Sequence, residues 1–383
     1  MRRSFRVLPL LALAALACTV QASSSSSSTP DGGKPVDPAA GKPVEKAEPA
    51  DKPIDKPKVD PKEQAKKEFE AAMADLDAQL AAEKARWTPE MTAGVEKLTA
   101  TKWRNVVQGM KAILASPHRK PGNAGRDPFR HPVATLEFFG LKPTMHVYEV
   151  GPGGGWWTEL LAPLLAAKGK LAVGMLDKNS DDYGVQYSAH ATEVLLDAAP
   201  ALYGKVERVP TQPGAYDMGP AGSLDMILVM RMTHNLIRGN NLEKFLGKAH
   251  ETLKPGGVLA IEQHRAPEGA DPKTSAEKGY VPEAWLIQQV EAAGFKLAGK
   301  SEINANAKDT KDYAKGVWTL PPTFAEGDKD KAKYEAIGES DRMTLKFVRP
   351  AKPAKDSVLG GVKAKDAPPP SASTAAGTTT TTK

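Results

Sequence analysis

The sequence predicts an α/β fold in which helices cover both faces of a mostly parallel sheet. The clearest evidence is a strand, a glycine loop and a helix start between residues 145 and 167. Met145 to Val150 is an apolar run of β-forming residues, as expected of a strand with both faces covered. From Trp156 to Ala167 apolar residues recur at helical spacing, and Gly169 follows as a stop signal. Further apolar strands and amphipathic helices alternate up to residue 350.

Both ends of the 383-residue chain are predicted to lie outside the folded part. Residues 1 to 22 are predicted to be an export signal, because three arginines precede an apolar run that is too short to span a bilayer. Residues 23 to 61 and 351 to 383 are rich in Pro, Ser, Lys and Thr and offer little apolar surface to bury. They are predicted to be a disordered linker and a disordered tail.

Two processing sites compete in the export signal. Val20-Gln21-Ala22 before Ser23 suits ordinary signal peptidase, whereas Ala15-Leu16-Ala17-Cys18 resembles a lipobox that would make Cys18 a lipidated N-terminus and attach the protein to a membrane. Cys18 is the single cysteine, so the mature protein is expected to contain no internal disulfide. The predicted location is therefore the periplasm or, for a membrane-anchored lipoprotein, the bacterial envelope.

The n-region of the export signal allows two readings. Arg2-Arg3-Ser4-Phe5 resembles the core of a twin-arginine signal, which directs the export of folded proteins. An ordinary positive n-region would also supply three arginines. Both routes stay open on the sequence alone.

A helical segment is predicted from residue 62 to residue 115. Phe69, Met73, Leu76 and Leu80 form one apolar stripe, and Pro89 marks the start of a second helix. This segment could cap the α/β domain, form a dimer interface or space the domain from a membrane. The net charge of +6 arises largely from lysines in the tails, and no basic stripe carries interleaved aromatic residues, so a nucleic-acid partner is not expected.

The glycine loop separates two kinds of nucleotide-binding protein. Dinucleotide folds use Gly-x-Gly-x-x-Gly, but Trp156 stands where the third glycine would fall, which opposes an oxidoreductase. The run of Glu149, Gly151, Gly153 and Gly155 resembles motif I of the class I S-adenosylmethionine-dependent methyltransferases. The resemblance implies that Glu149 accepts hydrogen bonds near the methionine end of the cofactor while the glycine backbone packs against it.

This resemblance covers residues 116 to 350 and implies a Rossmann-like class I methyltransferase fold. That fold has a seven-stranded, mostly parallel sheet with one antiparallel strand, here preceded by the helical segment. The Lys254-Pro255-Gly256-Gly257 turn before a fifth strand also matches the family, and Asn304 to Asp341 is predicted to be a polar insertion before the last strand. The segment from Arg126 to Pro132 resembles the lead-in of a subgroup of predicted exported bacterial methyltransferases.

Two further cofactor-binding residues follow from the resemblance. Asp177, after the second strand, is expected to accept hydrogen bonds from both ribose hydroxyls, although it stands one residue later than in the usual pattern. A cap for the next helix is the alternative. Gln212, after the third strand, stands where the family commonly has an aspartate that marks the adenine amino group, and its carbonyl can accept the same hydrogen bond.

His234 and Asn235 are the candidate catalytic residues. They follow the predicted fourth strand, at the sheet edge where open α/β sheets bind ligands. His234 is predicted to act as a general base and Asn235 to orient the acceptor. A histidine that only hydrogen-bonds a loop is the alternative.

The predicted function is methyl transfer from S-adenosylmethionine to an unknown small-molecule or protein acceptor. A sulfonium leaving group needs no metal, so the protein chiefly aligns the acceptor with the methyl group and excludes water. The alternative is a non-catalytic envelope ligand-binding lipoprotein that retains the fold, since S-adenosylmethionine is made in the cytoplasm.

Overall fold

The computed structural model describes residues 60–351, which form helices around one open sheet. The predicted export signal with Cys18, the predicted linker up to residue 59 and the predicted tail from residue 352 lie outside the described residues. The strands are β1 His146–Glu149, β2 Lys170–Met175, β3 Glu207–Pro210, β4 Leu224–Met230, β5 Leu253–His264, β6 Lys296–Ser301 and β7 Arg342–Val348.

The helices precede, connect and follow these strands. They are α1 Pro61–Arg86, α2 Pro89–Ala100, α3 Val106–Leu114, α4 Asp127–Arg130, α5 Pro132–Phe139, α6 Thr158–Leu165, α7 Tyr183–Asp197, α8 Pro200–Tyr203, α9 Thr233–Arg238, α10 Leu242–Thr252, α11 Pro272–Glu277, α12 Glu283–Ala292 and α13 Lys331–Ile337. Ala124–Arg126 and Gly316–Thr319 are 3₁₀ turns. Within residues 60–351, no helix combines the length and the apolar character needed to cross a bilayer.

The strand order is β3-β2-β1-β4-β5-β7-β6, with β7 antiparallel to both of its neighbours. The predicted seven-stranded sheet with one antiparallel strand is therefore confirmed. β5 begins at Leu253, earlier than the predicted Val258, because Leu253 already pairs with Leu224 before the Lys-Pro-Gly-Gly segment interrupts the register. Gly256 adopts a φ of 81° within this irregularity.

Alternation along the strands builds a separate core on each face of the sheet. In β4, Met226 and Leu228 face one core while Ile227 and Val229 face the other. This period of two is what a strand covered on both faces requires. The first core also contains Met110 and other side chains of α2 and α3, so these helices pack directly on α6.

Helix α1 lies against α7 of the same domain. The predicted stripe faces inwards, since Leu76 is buried and the other three side chains are partly buried. Phe69 stacks on Tyr183, with ring centroids 4.5 Å apart. The apolar stripe of α1 is thus covered within the chain.

A proline in α6 ties the loop after α3 to the glycine-loop helix. Pro163 has no N–H to donate to the carbonyl of Glu159, so that carbonyl is left open within the helix. His118 Nε2 lies 3.1 Å from this oxygen and can donate to it. Arg119 adds ion pairs to the carboxylates of Glu159 and Asp127. These contacts hold residues 118 to 127 beside the glycine loop.

The segment from Asn304 to Asp341 is more than the polar insertion that the sequence predicts. It carries its own apolar cluster around Leu320, Tyr313 and Tyr334, and its Trp318 packs with residues before α12. Asn304 is buried and donates to Thr135 Oγ1 and Thr344 Oγ1 at 3.0 and 3.1 Å. The segment therefore packs over the carboxyl end of the sheet instead of extending into solvent.

Candidate cofactor and acceptor site

The glycine loop leaves β1 through three left-handed glycines. Gly151, Gly153 and Gly155 have φ values of 62°, 55° and 81°, which side chains with a Cβ rarely adopt. A methyl group on Gly155 would collide with Leu195, whereas one on Gly153 would project into open space. The loop is thus closely packed behind and open in front, as a backbone cradle for a ligand requires.

Glu149 ends β1 directly before this loop. Its side chain is only 2% exposed, and Thr158 Oγ1 donates a hydrogen bond of 2.9 Å to its Oε2 atom. Burial raises the pKa of the Glu149 carboxyl to about 7, while the Thr158 hydrogen bond and the charge of Arg231 oppose this rise. A cationic ligand group would favour the ionised form, because it would supply the charge that the site lacks.

The ends of β2 and β3 place the other two predicted cofactor residues differently. Asp177 is exposed after β2, and its Oδ1 atom accepts a hydrogen bond of 2.9 Å from the backbone N–H of Asn179. Gln212 lines a cavity of about 260 Å³ at the ends of β1, β2 and β3, together with Tyr148, Leu176, Tyr216, Asn241 and Phe245. The flat rings of Tyr216 and Phe245 give this cavity an aromatic wall.

The chain resembles known methyltransferases in sequence over part of its length. It is 30% identical over 125 residues to ribosomal RNA large subunit methyltransferase E of Acidithiobacillus ferrooxidans, which is 32% of this chain and 52% of that protein. The chain therefore matches about half the length of the curated relatives. No protein-family model matches the chain.

Solved structures with similar folds share little sequence. A SAM dependent methyltransferase from Aquifex aeolicus is 18% identical with a TM-score of 0.41, and the match covers 60% of this chain and 94% of that protein. N-methyltransferase NodS from Bradyrhizobium japonicum, solved with S-adenosyl-l-homocysteine, is 14% identical with a TM-score of 0.38 and covers 64% and 99%.

The strand order, with its single antiparallel strand, and the acid followed by three left-handed glycines decide the fold class. The chain has the fold of the class I S-adenosylmethionine-dependent methyltransferases. Its sheet brings Glu149, the glycine loop and Gln212 to one edge of this methyltransferase fold. Asp177 lies at the same edge but does not line the cavity that contains Gln212.

The two predicted catalytic residues of the methyltransferase fold lie in unlike surroundings. His234 is 5% exposed, lies next to Trp318 of the insertion, and has its Nδ1 atom 3.3 Å from Gln263 Nε2. Burial lowers the pKa of the His234 imidazole to about 4, so the ring is neutral at neutral pH. Asn235 is exposed. The general-base role of His234 and the orienting role of Asn235 stay predictions.

Sequence reasoning missed a group of arginines beside the glycine loop. Arg126, Arg130, Arg231 and Arg342 converge on the carboxylates of Glu262 and Glu339. Arg130 also lies over the ring of Trp156, 4.7 Å from its centroid. Two signals were available. Arg231 stands directly after β4 at the ligand edge of the sheet, and Arg126 and Arg130 stand in the lead-in segment from Arg126 to Pro132.

Proposed function

We propose that the chain binds S-adenosylmethionine and transfers its methyl group to an acceptor. The observation that carries the proposal is the open, left-handed glycine loop directly after the buried carboxyl of Glu149. The bound cofactor would supply an electrophilic methyl group on its sulfonium. The methyltransferase fold and the partial similarity to methyltransferase E support this assignment.

The residues of the site fit the parts of this cofactor. Glu149 presents a carboxyl for the cationic amine of the methionine end, and the glycine backbone offers a surface without Cβ atoms. The aromatic cavity with Gln212 suits the adenine ring and its amino group. Asp177 is proposed to bind the ribose hydroxyls after its exposed side chain rotates. The hydrogen bond that Asp177 Oδ1 accepts from the backbone N–H of Asn179 competes with this role.

The chain's own contribution to the reaction is alignment and exclusion of water. Met232, just after β4, packs so closely on Gly151 of the glycine loop that a Cβ added to Gly151 would lie 2.9 Å from Met232 Cε. The acceptor must therefore approach the cofactor from the end of β4. The insertion that carries Trp318 packs over this edge of the sheet and leaves His234 only 5% exposed. A dry, shaped site favours transfer to a positioned acceptor over transfer to water.

Calorimetric titration of the purified chain with S-adenosylmethionine, S-adenosylhomocysteine and NAD tests the cofactor assignment. We expect both sulfur compounds to bind and NAD not to bind. Binding of NAD alone, or of none of the three, would contradict the proposal. Binding without methyl transfer to any acceptor would instead favour a non-catalytic envelope protein.

A glycine substitution tests where the cofactor lies. We expect Gly153→Ala to weaken binding of S-adenosylhomocysteine by about tenfold or more, because its new methyl group would occupy the open space in front of the loop. Gly256→Ala is the matched control, since Gly256 also has positive φ and open space but lies at the opposite edge of the sheet. Both variants should lose about 1 kcal/mol of stability from left-handed strain. Equal affinities of the two variants would place the cofactor elsewhere.

We also propose that the protein works in the bacterial envelope, anchored through Cys18 where that residue is lipidated. Residues 1 to 22 support export, and the twin-arginine reading would let a cofactor travel inside the folded domain. We expect the double variant Arg2→Lys with Arg3→Lys to stay in the cytoplasm, while the exported wild type retains bound cofactor. Unchanged export of the double variant, with both chains free of cofactor, would discard this route.

A further inference from the structure

Four arginine side chains meet two buried glutamates beside the glycine loop. Glu339 accepts hydrogen bonds from Arg126 Nε at 2.8 Å, from Arg130 Nε at 3.0 Å and from Arg342 Nη1 at 3.2 Å. Glu262 has Arg342 Nε at 2.6 Å and Arg231 Nη1 at 3.3 Å. The ion pairs of this arginine cluster therefore join four arginines to two glutamates, and Glu149 is a further carboxyl near Arg231.

The excess positive charge is concentrated on two of the arginines. The side chains of Arg130 and Arg342 are 3% and 1% exposed, but those of Arg126 and Arg231 are 20% and 19% exposed. Among residues 60–351, the terminal Nη1 and Nη2 atoms of Arg126 and the Nη2 atom of Arg231 have no hydrogen-bond partner. These donors point to a site that can accept an oxyanion from outside the chain.

The two partly exposed guanidiniums are linked through Arg342, which contacts both Glu339, the partner of Arg126, and Glu262, the partner of Arg231. Burial lowers the pKa of Arg126, and the charges of Arg231 and Arg342 lower it further, while Glu339 opposes the change. An anion bound between Arg126 and Arg231 would relieve this repulsion. The exposed part comprises only these two side chains, which suits one small oxyanion group better than a nucleic-acid backbone.

The backbone holds Arg231 in a strained conformation. Its φ is 59°, in the left-handed region that a residue with a long side chain rarely adopts. Its N–H donates to the carbonyl of Glu262 at 2.7 Å, which fixes this turn at the end of β4. The strain is consistent with a side chain that must be aimed at a ligand.

The arginine cluster borders the proposed cofactor site. Met232, the next residue after Arg231, lies against Gly151 of the glycine loop. Arg130 lies over Trp156, which directly follows Gly155. An acceptor held by the cluster would therefore lie beside the cofactor, at the ligand edge of the sheet.

We propose that Arg126 and Arg231 bind a carboxylate or phosphate group of the methyl acceptor, which makes the acceptor an acidic small molecule. This inference rests on the proposed methyltransferase function for its meaning, but the oxyanion site itself can be measured without cofactor. Carboxylate and phosphate present the same chemistry to a guanidinium, and the test separates them.

The test measures the affinity of the full chain for benzoate, phenyl phosphate and benzamide by calorimetry or NMR. Each affinity is measured with and without S-adenosylhomocysteine. Benzamide has the shape of benzoate without its charge. We expect at least one acid to bind at least tenfold more tightly than benzamide, and Arg126→Gln and Arg231→Gln each to weaken that acid by about tenfold. The Arg126→Gln variant is expected to fold, because the new amide can still donate to Glu339 and because Glu339 retains its ion pairs with Arg130 and Arg342.

Arg208→Gln is the matched control, because Arg208 pairs with Asp197 at the surface near the far end of the sheet. It should bind the acids as wild type does. Benzamide binding as tightly as both acids, or unchanged acid binding in a folded Arg231→Gln variant, would overturn the inference. A wild type that binds an acid but no S-adenosylhomocysteine would contradict the proposed function and leave the oxyanion site standing. A wild type that binds S-adenosylhomocysteine but neither acid would overturn the oxyanion site and leave the proposed function standing.

Discussion

The affinity of the chain for S-adenosylhomocysteine is expected to rise about 100-fold between about pH 5 and pH 8. The reason is the Glu149 carboxyl, whose pKa burial raises to about 7. The cationic amine of the ligand needs the ionised carboxylate, so the proton must leave before binding. Each pH unit below the pKa then costs about a factor of ten in affinity. Titration at several pH values measures this slope directly.

Glu149→Gln removes the ionisable group and should flatten the profile. The amide lacks the charge. Across the whole pH range, the variant's affinity for S-adenosylhomocysteine should therefore stay near the value that the wild type has at low pH. Glu207→Gln is a suitable control, because Glu207 pairs with Lys170 and His146 at the opposite edge of the sheet. A pH-independent wild type would show that Glu149 does not meet the ligand's amine.

The free chain supplies a second readout of the same carboxyl. Its pKa in the unfolded chain is near 4.5, below the folded value of about 7, so the folded chain binds the extra proton. The contribution of the protonated Glu149 carboxyl to the free energy of unfolding is complete below about pH 4.5 and is lost as the pH rises through 7. Glu149→Gln should therefore raise the free energy of unfolding at neutral pH by up to about 3 kcal/mol, while it weakens ligand binding.

The local sequence predicted strand β1, the glycine loop and helix α6, because these three elements follow one another directly in the chain. Apolar periodicity and glycine spacing are therefore enough to define them. The seven-stranded sheet followed from the resemblance and is confirmed. The early start of β5 was missed, because Leu253 pairs before the glycines and only the partner strand reveals it.

The arginine cluster could not be predicted, because it is assembled from distant segments. Arg126, Arg231 and Arg342 meet only when β4, β5 and β7 pair, and the register that sets Glu262 opposite Thr344 is a property of the whole sheet. The surroundings of His234 were also hidden. Trp318 reaches His234 from the Asn304 to Asp341 segment, which the sequence predicted to be a polar insertion, although the few apolar residues of this segment pack inwards.

We expect Arg342→Met to lower the free energy of unfolding by about 3 kcal/mol, as breaking a buried ion pair does. Arg342 and Glu262 are 1% and 0% exposed, and their Nε and Oε1 atoms are 2.6 Å apart. The guanidinium also donates to the carbonyls of Ser340 and Phe129, so it ties β7 to the segment before α5. The loss should lie at the lower end of the range for buried pairs, because Arg231 stays 3.3 Å from Glu262.

A second substitution separates the lost charge pair from the lost packing. If the Glu262 carboxylate, which then keeps only its 3.3 Å contact with Arg231, causes most of the damage, Arg342→Met combined with Glu262→Gln should be more stable than Arg342→Met alone, since the fully buried carboxylate is removed. Denaturant unfolding of both variants measures the difference. Arg208→Met, at an exposed ion pair with Asp197, should cost at most about 1 kcal/mol. A cost for Arg342→Met no larger than that of this surface control would show that the buried Arg342–Glu262 pair contributes little to the stability of the fold.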